Sequence, residues 1–372
     1  MPGALVTRSA AEATGLERLQ QAAERYAEAS LAPSSRGTYR RHIRYFLRFL
    51  VEQRLVDHVL DGHPLIMGLY VAWLAPTRTY STVCTYLKGV RALYLRTGRP
   101  DPFVAPAVCR VLEGVRRING GGPTQRKAPI LPWMLEEWAG PGFLDIAASD
   151  AGLATFTAMV FAFFGFFRKS TVAVAGGAGS SDAAAALADP PDLFQRRVLR
   201  RCDIRIDLVN YCVWVTLRWT KTIQGLERAL VVPLAGRAGS ILDPVALYSR
   251  LLARLPSSPD THAFAVPAAG GGLRPLSHRV FVAAIKRLAA LSGLDPAEYA
   301  GHSFRRGGAS CAFAAGVCGE LVQAHGDWRS DAYLAYLELS DAQRLEVSRA
   351  MQRALSSAPR PRAPPACQPE CP

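Results

Sequence analysis

Residues 301–339 read GHSFRRGGASCAFAAGVCGELVQAHGDWRSDAYLAYLEL. The stretch opens with His302-Ser303-Phe304-Arg305 and later reaches Trp328, Tyr333 and Tyr336. Positions i and i+3 of a helix share a face, so His302 and Arg305 can serve one site. Phosphoryl transfer without a metal needs fixed cations for the non-bridging oxygens, a nucleophile in line with the leaving oxygen, and an acid to protonate that oxygen. Arginine suits the first role because its planar fork stays charged. Tyrosine can supply the second by forming an ester, and lysine or histidine the third. The rest of the chain has to supply a second cation, a proton donor and a surface for a phosphate-bearing substrate.

Working outward, a long apolar run lies upstream. Gly152 to Phe167 reads GLATFTAMVFAFFGFF and stops at Arg168-Lys169. The run is shorter than the roughly 20 residues a bilayer requires. It predicts a buried core helix over 150–168, with Arg168 at its end, and not a membrane span. Further along lies the one convincing β region. Residues 203–206, 211–219 (YCVWVTLRW) and 228–233 (RALVVP) are rich in β-branched and aromatic residues, which predicts a small three-stranded antiparallel sheet. Lys221 lies at its second turn. Helices are expected again from about 240, then over 278–292, 303–316, 318–325 and 329–337, with a loop over 270–277.

The binding surface is read from charge. The chain has 372 residues, long enough for two domains, a net charge of +14 and a pI near 9.7. Residues 31–128 hold 16 Lys/Arg against 5 Asp/Glu, whereas 129–372 hold 25 against 21. A surplus of that size in one region makes a polyanion the expected partner. From Ser34 or Ser35, either of which can cap a helix, Tyr39, Ile43, Phe46, Leu47 and Leu50 fall on one face. Arg36, Arg40, Arg41, Arg44 and Arg48 fall on the other, with no acid among them. Solvated helix faces usually mix signs, so this one reads as a contact for the phosphate backbone of double-stranded DNA. Further helices are expected at 65–75, 79–96 and 105–117. Lys88 and Arg91 lie on the polar side of the third helix, and Arg126 and Lys127 extend the positive surface.

The predicted organisation is a mobile leader (1–30), a helical DNA-binding domain (31–119), a Gly- and Pro-bearing linker (120–127) and a catalytic domain (128–340). An Ala/Gly/Ser-rich insertion (172–192), a C-terminal amphipathic helix (341–357) and a Pro-rich disordered tail (358–372) complete it. The helix begins near a capping box of Ser340 and Gln343, and Leu345, Met351 and Leu355 form its apolar stripe. The eight cysteines form no C-x-x-C pair. No metal site and no cofactor is expected. No apolar leader segment is seen in the first thirty residues, so the expectation is an intracellular protein, nuclear if its source is eukaryotic, with no membrane partner.

The ordered set — arginine after an apolar helix, lysine in a β-turn, H-x-x-R, then tyrosine — resembles the tyrosine recombinase (phage-integrase) superfamily, from about residue 34 to 340. The HSFRRGGAS run, the WRSDAYLAY ending and the KTIQ turn look most like recombinases of eukaryotic mobile elements. The resemblance implies a mostly α fold. It would comprise a helical N-terminal core-binding (SAM-like) domain and a mixed α/β catalytic domain with a small three-stranded sheet. It also implies cleavage and rejoining of DNA through a 3′-phosphotyrosyl intermediate, in a homotetramer on DNA. By resemblance, Arg168 and Arg305 share the oxyanion, Lys221 is the general acid, and His302 handles the tyrosine's proton or a phosphate oxygen. Trp328 hydrogen-bonds the phosphate. Tyr336, ten residues after Gly326, is the nucleophile. Two positions depart from the pattern. Thr171 stands where an acidic residue often follows the first arginine, and Asp327 stands where a histidine or tryptophan directly follows the glycine. A DNA-binding protein that no longer cuts, or a DNA-relaxing enzyme of the type IB topoisomerase kind, are the alternatives.

Overall fold

The computed structural model describes residues 15–30, 33–119, 126–175, 198–220, 223, 228–337 and the isolated positions 345, 348, 349 and 352. Lys221, most of the 172–192 insertion, most of the expected C-terminal helix and the whole Pro-rich tail lie outside the described residues. The chain divides into two compact units, residues 1–125 and 126–372.

In the first unit, α1 (Gly15–Ala29) is followed by α2 (Pro33–Glu52), α3 (Pro64–Leu74), α4 (Tyr80–Arg96) and α5 (Pro106–Asn119). Helix α2 packs on α4, and α3 on α5. Their shared core is aromatic and β-branched, built on Phe46, Phe49, Tyr70, Val71, Val90 and Tyr94. Tyr94 is buried without loss because its hydroxyl donates to the Val59 carbonyl at 2.9 Å, which removes the cost of an unpaired polar group. The buried face of α2 differs from the expected one. His42 and Phe49 are buried, while Leu47 is 40 % exposed. At 100° per residue Leu47 stands about 100° off the stripe centred on Phe46, so solvent and not the core receives it.

The second unit is built around α7 (Asp150–Phe164), in which every residue from Gly152 to Phe163 is buried. Ser149 caps it, accepting from the Gly152 N–H at 2.9 Å. The helix ends at Phe164, four residues before the predicted end. Gly165 and Phe166, the latter at φ 50°, turn the chain. Arg168 consequently stands beyond the helix, as the N-terminal cap residue of the short α8 (Lys169–Val172).

Packed on α7 are α6 (Pro132–Trp138), α9 (Pro244–Arg254) and the segment Ala265–Pro267. Strands β1 (Ile204–Asp207), β2 (Cys212–Leu217) and β3 (Leu230–Ala235) form an antiparallel sheet in that order. Ile204 pairs with Val215, and Cys212 with Ala235. This is the sheet the alternation predicts. The 270–277 stretch, expected as loop, instead contributes to a second hairpin of β4 (Ala265–Pro267) and β5 (Leu273–Pro275). Three-residue strands flanked by Gly270-Gly271-Gly272 leave too little alternation to read.

Helices α10 (His278–Leu291), α11 (His302–Ala314) and α12 (Gly319–His325) follow. The last expected helix, 329–337, is a single 3₁₀ stretch, Asp331–Ala335. Helix α11 packs against α7 at very short range through the glycine pair of the HSFRRGGAS run. A Cβ on Gly307 would lie 1.9 Å from the Ile130 carbonyl oxygen, and one on Gly308 would lie 2.0 Å from that of Phe163. The glycines bring the backbone carrying His302 and Arg305 up to the end of α7.

Among the described residues no helix is long and apolar enough to cross a membrane. No group of three His, Cys, Asp or Glu side chains among them is arranged to hold a metal ion.

Candidate active site

Arg305 is the centre of the site. It lies one turn into α11 and is 2 % exposed. Its Nη1 donates to the Phe166 carbonyl at 2.5 Å and its Nη2 to the Gly326 carbonyl at 2.6 Å. One side chain thus joins the turn after α7 to the end of α12. The Trp328 ring covers the guanidinium, 3.6 Å from ring centroid to Cζ, and the Tyr336 ring centroid lies 5.6 Å away. Arginine stacks well on an aromatic face because it is planar and weakly hydrated. Nε of Arg305 is buried and meets no acceptor among the described residues.

The electrostatics point the same way. Burial is the largest cause pulling the Arg305 pKa below its usual range, followed by the charge of Arg168, while Tyr336 and Asp327 push it back up. Two cations near enough to oppose each other, one of them buried, are relieved by an anion between them. Arg168 itself is half-buried. The Thr171 N–H donates to the Arg168 carbonyl at 2.8 Å, which fixes the backbone of the cap but not the guanidinium.

Trp328 is 8 % exposed and its Nε1 has no partner among the described residues. Its ring packs against Phe166, Tyr333 and Tyr336. Gly326 makes this fold-over possible, since a Cβ there would sit 1.7 Å from the indole. The two tyrosines separate by surroundings. A Cβ added at Gly319 would meet the Tyr333 hydroxyl at 2.6 Å, so Tyr333 packs on the start of α12. Tyr336 faces Arg305, and its carbonyl accepts from the Ser310 hydroxyl at 3.0 Å. His302 is exposed at the first position of α11, on the side of the helix that Arg305 also serves.

The structure therefore brings Arg168, Arg305, Trp328 and Tyr336 together, with His302 one turn away. Lys221 follows Thr220 directly, and Thr220 and Ile223 are tied by hydrogen bonds in both directions. Asp327, a departure from pattern in the sequence, makes contacts that sequence reasoning missed. Its carboxylate accepts from the Thr220 hydroxyl at 3.2 Å and pairs with Arg228.

The cations proposed to meet DNA divide by environment. Arg36, Arg40, Arg41, Arg44 and Lys88 are exposed. Arg48 pairs with Glu52 at 2.6 Å and Arg91 with Asp101 at 2.6 Å. The α2 face is therefore not free of acid, because the sequence window stopped short of Glu52. Arg126 donates to the Ala335 carbonyl and Lys127 to that of Ala297, so both cations hold the chain near the site. Sequence reasoning also missed a polar cleft of about 500 Å³ between α2 and α4, lined by Arg41, Arg78, Ser81, Thr82 and Thr85 among others. Hydroxyls every three or four residues along α4 were the available signal.

No family model matches the chain, and no curated protein matches it. Solved structures do. XerH site-specific recombinase bound to palindromic difH substrate, a post-cleavage complex, superposes with a TM-score of 0.54 at 14% identity, covering 85% of this chain and 79% of that one. Its pre-cleavage complex with difH gives 0.51 at 13%, with the same coverage. The Tn1549 transposon integrase in complex with transposon right end DNA gives 0.50 at 12%, covering 85% and 99%. The chain has the fold of the tyrosine recombinases: mostly helical, with a small three-stranded antiparallel sheet.

Proposed function

We propose that the chain is a site-specific DNA recombinase acting through Tyr336. The observation that carries the reading is Arg305, buried beneath Trp328 and near Arg168 and Tyr336. Tyr336 Oη attacks the scissile phosphorus, and a 3′-phosphotyrosyl ester forms as the bond to the 5′ oxygen breaks. Arg168 and Arg305 meet the charge on the non-bridging oxygens, the role in which fixed donors contribute most. Lys221 protonates the leaving oxygen, and His302 takes the tyrosine's proton or holds a phosphate oxygen. Trp328 contributes its unpartnered Nε1. A 5′-hydroxyl from a partner duplex then attacks the ester. The ester retains the energy of the broken bond, so neither ATP nor a metal has a step in this scheme.

Double-stranded DNA is the partner that the exposed arginines of α2 suit. The active form is a tetramer on DNA. An apolar cavity of about 610 Å³, lined by Phe163, Phe164, Val231, Val317 and Leu321 among others, suits the Leu345, Met351 and Leu355 stripe of a neighbouring copy. The test is a nicked suicide duplex taken from DNA flanking the gene. Wild type forms a covalent adduct, and Tyr336→Phe does not. Loss of the adduct in Tyr333→Phe with retention in Tyr336→Phe reverses the assignment.

A further inference from the structure

Helix α12 ends in a Schellman-type closure. The Asp327 N–H donates to the Ala324 carbonyl at 3.1 Å, and the Trp328 N–H to the Gln323 carbonyl at 3.1 Å. In this pattern the residue after the cap turns left-handed and is usually glycine. Here the glycine is one place early. Gly326 is the cap, at φ −85°, and the left-handed position falls to Asp327, at φ 53°. Aspartate tolerates that region better than most residues, but less well than glycine. A residue kept there against its preference is held by its surroundings.

The holding contacts come from the sheet side. Asp327 Oδ2 accepts from Thr220 Oγ1 at 3.2 Å, and Oδ1 pairs with Arg228. Thr220 lies just after β2 and is buried, and Arg228 lies just before β3. The Asp327 side chain is 9 % exposed and that of Arg228 45 %. The residues on either side of Asp327 are two that touch Arg305. Gly326 gives its carbonyl to Arg305 Nη2 at 2.6 Å, and the Trp328 ring covers the guanidinium. Each residue has only two soft backbone torsions, so those of Asp327 set the angle between the two contacts.

The carboxylate also acts through its charge. Burial, and after it the charge of Arg168, pull the Arg305 pKa down, and Tyr336 and Asp327 push it back up. Alone, that anion would oppose an incoming phosphate. Its pairing with Arg228 cancels much of its field, so the placement of Arg305 is the larger effect.

We infer that Asp327 is a positioning residue for Arg305: anchored on Thr220 and Arg228, it fixes the Gly326 carbonyl and the Trp328 ring that hold the guanidinium. The inference rests on the recombinase reading above. In that reading the Tyr336 oxygen bonds to phosphorus, and the electron pair of the breaking bond goes to the 5′ oxygen, with protons moving as set out there. Charge gathers on the non-bridging oxygens on the way, and Arg305 meets it. Loosening Asp327 costs the phosphate this fixed cation and leaves the attack and the proton transfers in place.

A methyl group in place of one non-bridging oxygen gives a neutral methylphosphonate, which needs a fixed cation less. Full-length wild type first captures covalently a duplex from a nicked pool of random sequence, which identifies a cleaved phosphate. That duplex is then made with phosphate or with methylphosphonate at the same position. Asp327→Asn and Asp327→Gly, both compatible with the left-handed backbone, should form the adduct on phosphate ~10- to 100-fold more slowly, the scale of a misplaced catalytic group. Their DNA affinity should stay within about threefold of wild type. On the methylphosphonate their deficit in rate should shrink to about threefold or less. Arg228→Gln, at a half-exposed side chain, should act in the same sense. Combined with Asp327→Asn it should add nothing, because the two changes break one pair.

A deficit of equal size on phosphate and methylphosphonate overturns the inference, because Asp327 then supports the tyrosine or the fold. Adduct formation at the wild-type rate overturns it as well. Wild type that captures no DNA overturns the recombinase reading. Arg305→Lys with a deficit that methylphosphonate leaves unchanged overturns the place of Arg305 in that reading. Neither of these controls involves Asp327.

Discussion

Arg40 and Arg44 stand in solvent on α2 of the first unit, whereas Arg305 of the second is buried beneath an indole and spends two donors on backbone carbonyls. Both units are reading out phosphate under the proposed function, yet they hold cations in opposite ways. Exposed arginines keep their hydration, are screened by salt, and act in proportion to their number. A buried arginine has lost its water, so the groups around it must do that work, and an arriving phosphate completes the set. The first arrangement tolerates substitution. The second does not.

The largest expected effect falls on the buried side. Arg305→Lys keeps the charge but cannot span Phe166 and Gly326 while leaving a third donor for phosphate. Single-turnover formation of the covalent adduct should fall by ~10²–10³ or more, the range found on removing one donor from an oxyanion site. DNA affinity at fixed salt should change by less than about threefold, since Arg305 is one of many contacts and the exposed ones dominate. A similar loss in both measurements would mean that Arg305 is a binding residue like those of α2.

Next comes the backbone contact that places Arg305. Gly307→Ala puts a methyl group 1.9 Å from the Ile130 carbonyl oxygen, and the obstacle is backbone, so a rotamer change cannot relieve it. Overpacking of a tight contact costs ~1–3 kcal/mol or more, visible as a lower midpoint of denaturant unfolding for the second unit. Gly114→Ala on α5, where nothing lies within 4 Å, is the control and should stabilise its helix slightly. Equal midpoints for the two variants would remove the close approach of α11 to its neighbours as the reason for the glycine pair.

The same contrast explains what the sequence made legible. The apolar run before Arg168, the alternation of the β strands and the arginine stripe of α2 are periodic patterns, and periodicity survives without coordinates. The convergence of Arg168, Arg305 and Tyr336 came from an ordered set spread over 169 positions, which no single spacing reveals. Three things stayed hidden for physical reasons. The early end of α7 depends on Phe166 accepting a left-handed conformation, for which a bulky residue gives no warning. The β4–β5 hairpin is too short to alternate. The contacts of Asp327 join residues 107 apart in sequence, and a lone aspartate next to a glycine reads as an ordinary turn. The spacing from Gly326 points to Tyr336 only through the family resemblance; in the structure Tyr333 lies against Gly319 and the Tyr336 ring lies 5.6 Å from the Arg305 guanidinium.

The smallest effects lie on α2, and they test whether pairing matters there. Arg44 is exposed, and no acidic partner is seen for it among the described residues. Arg44→Gln should weaken DNA binding uniformly across sequences and reduce the slope of log affinity against log salt by about 0.9, one phosphate contact. Arg48 also faces solvent but holds Glu52 at 2.6 Å, and an exposed i, i+4 pair of this kind adds little to the helix. To touch a phosphate, Arg48 must share its charge with Glu52 or release it, so Arg48→Gln should move the slope by clearly less than Arg44→Gln. Glu52→Gln should act in reverse, freeing Arg48 and raising affinity at low salt by a factor of about 2, with the gain gone at high salt. A slope unchanged by Arg44→Gln would take this face of α2 off the DNA. The polar cleft lined by Arg78, Ser81 and Thr85 would then be the surface of the first unit to substitute next.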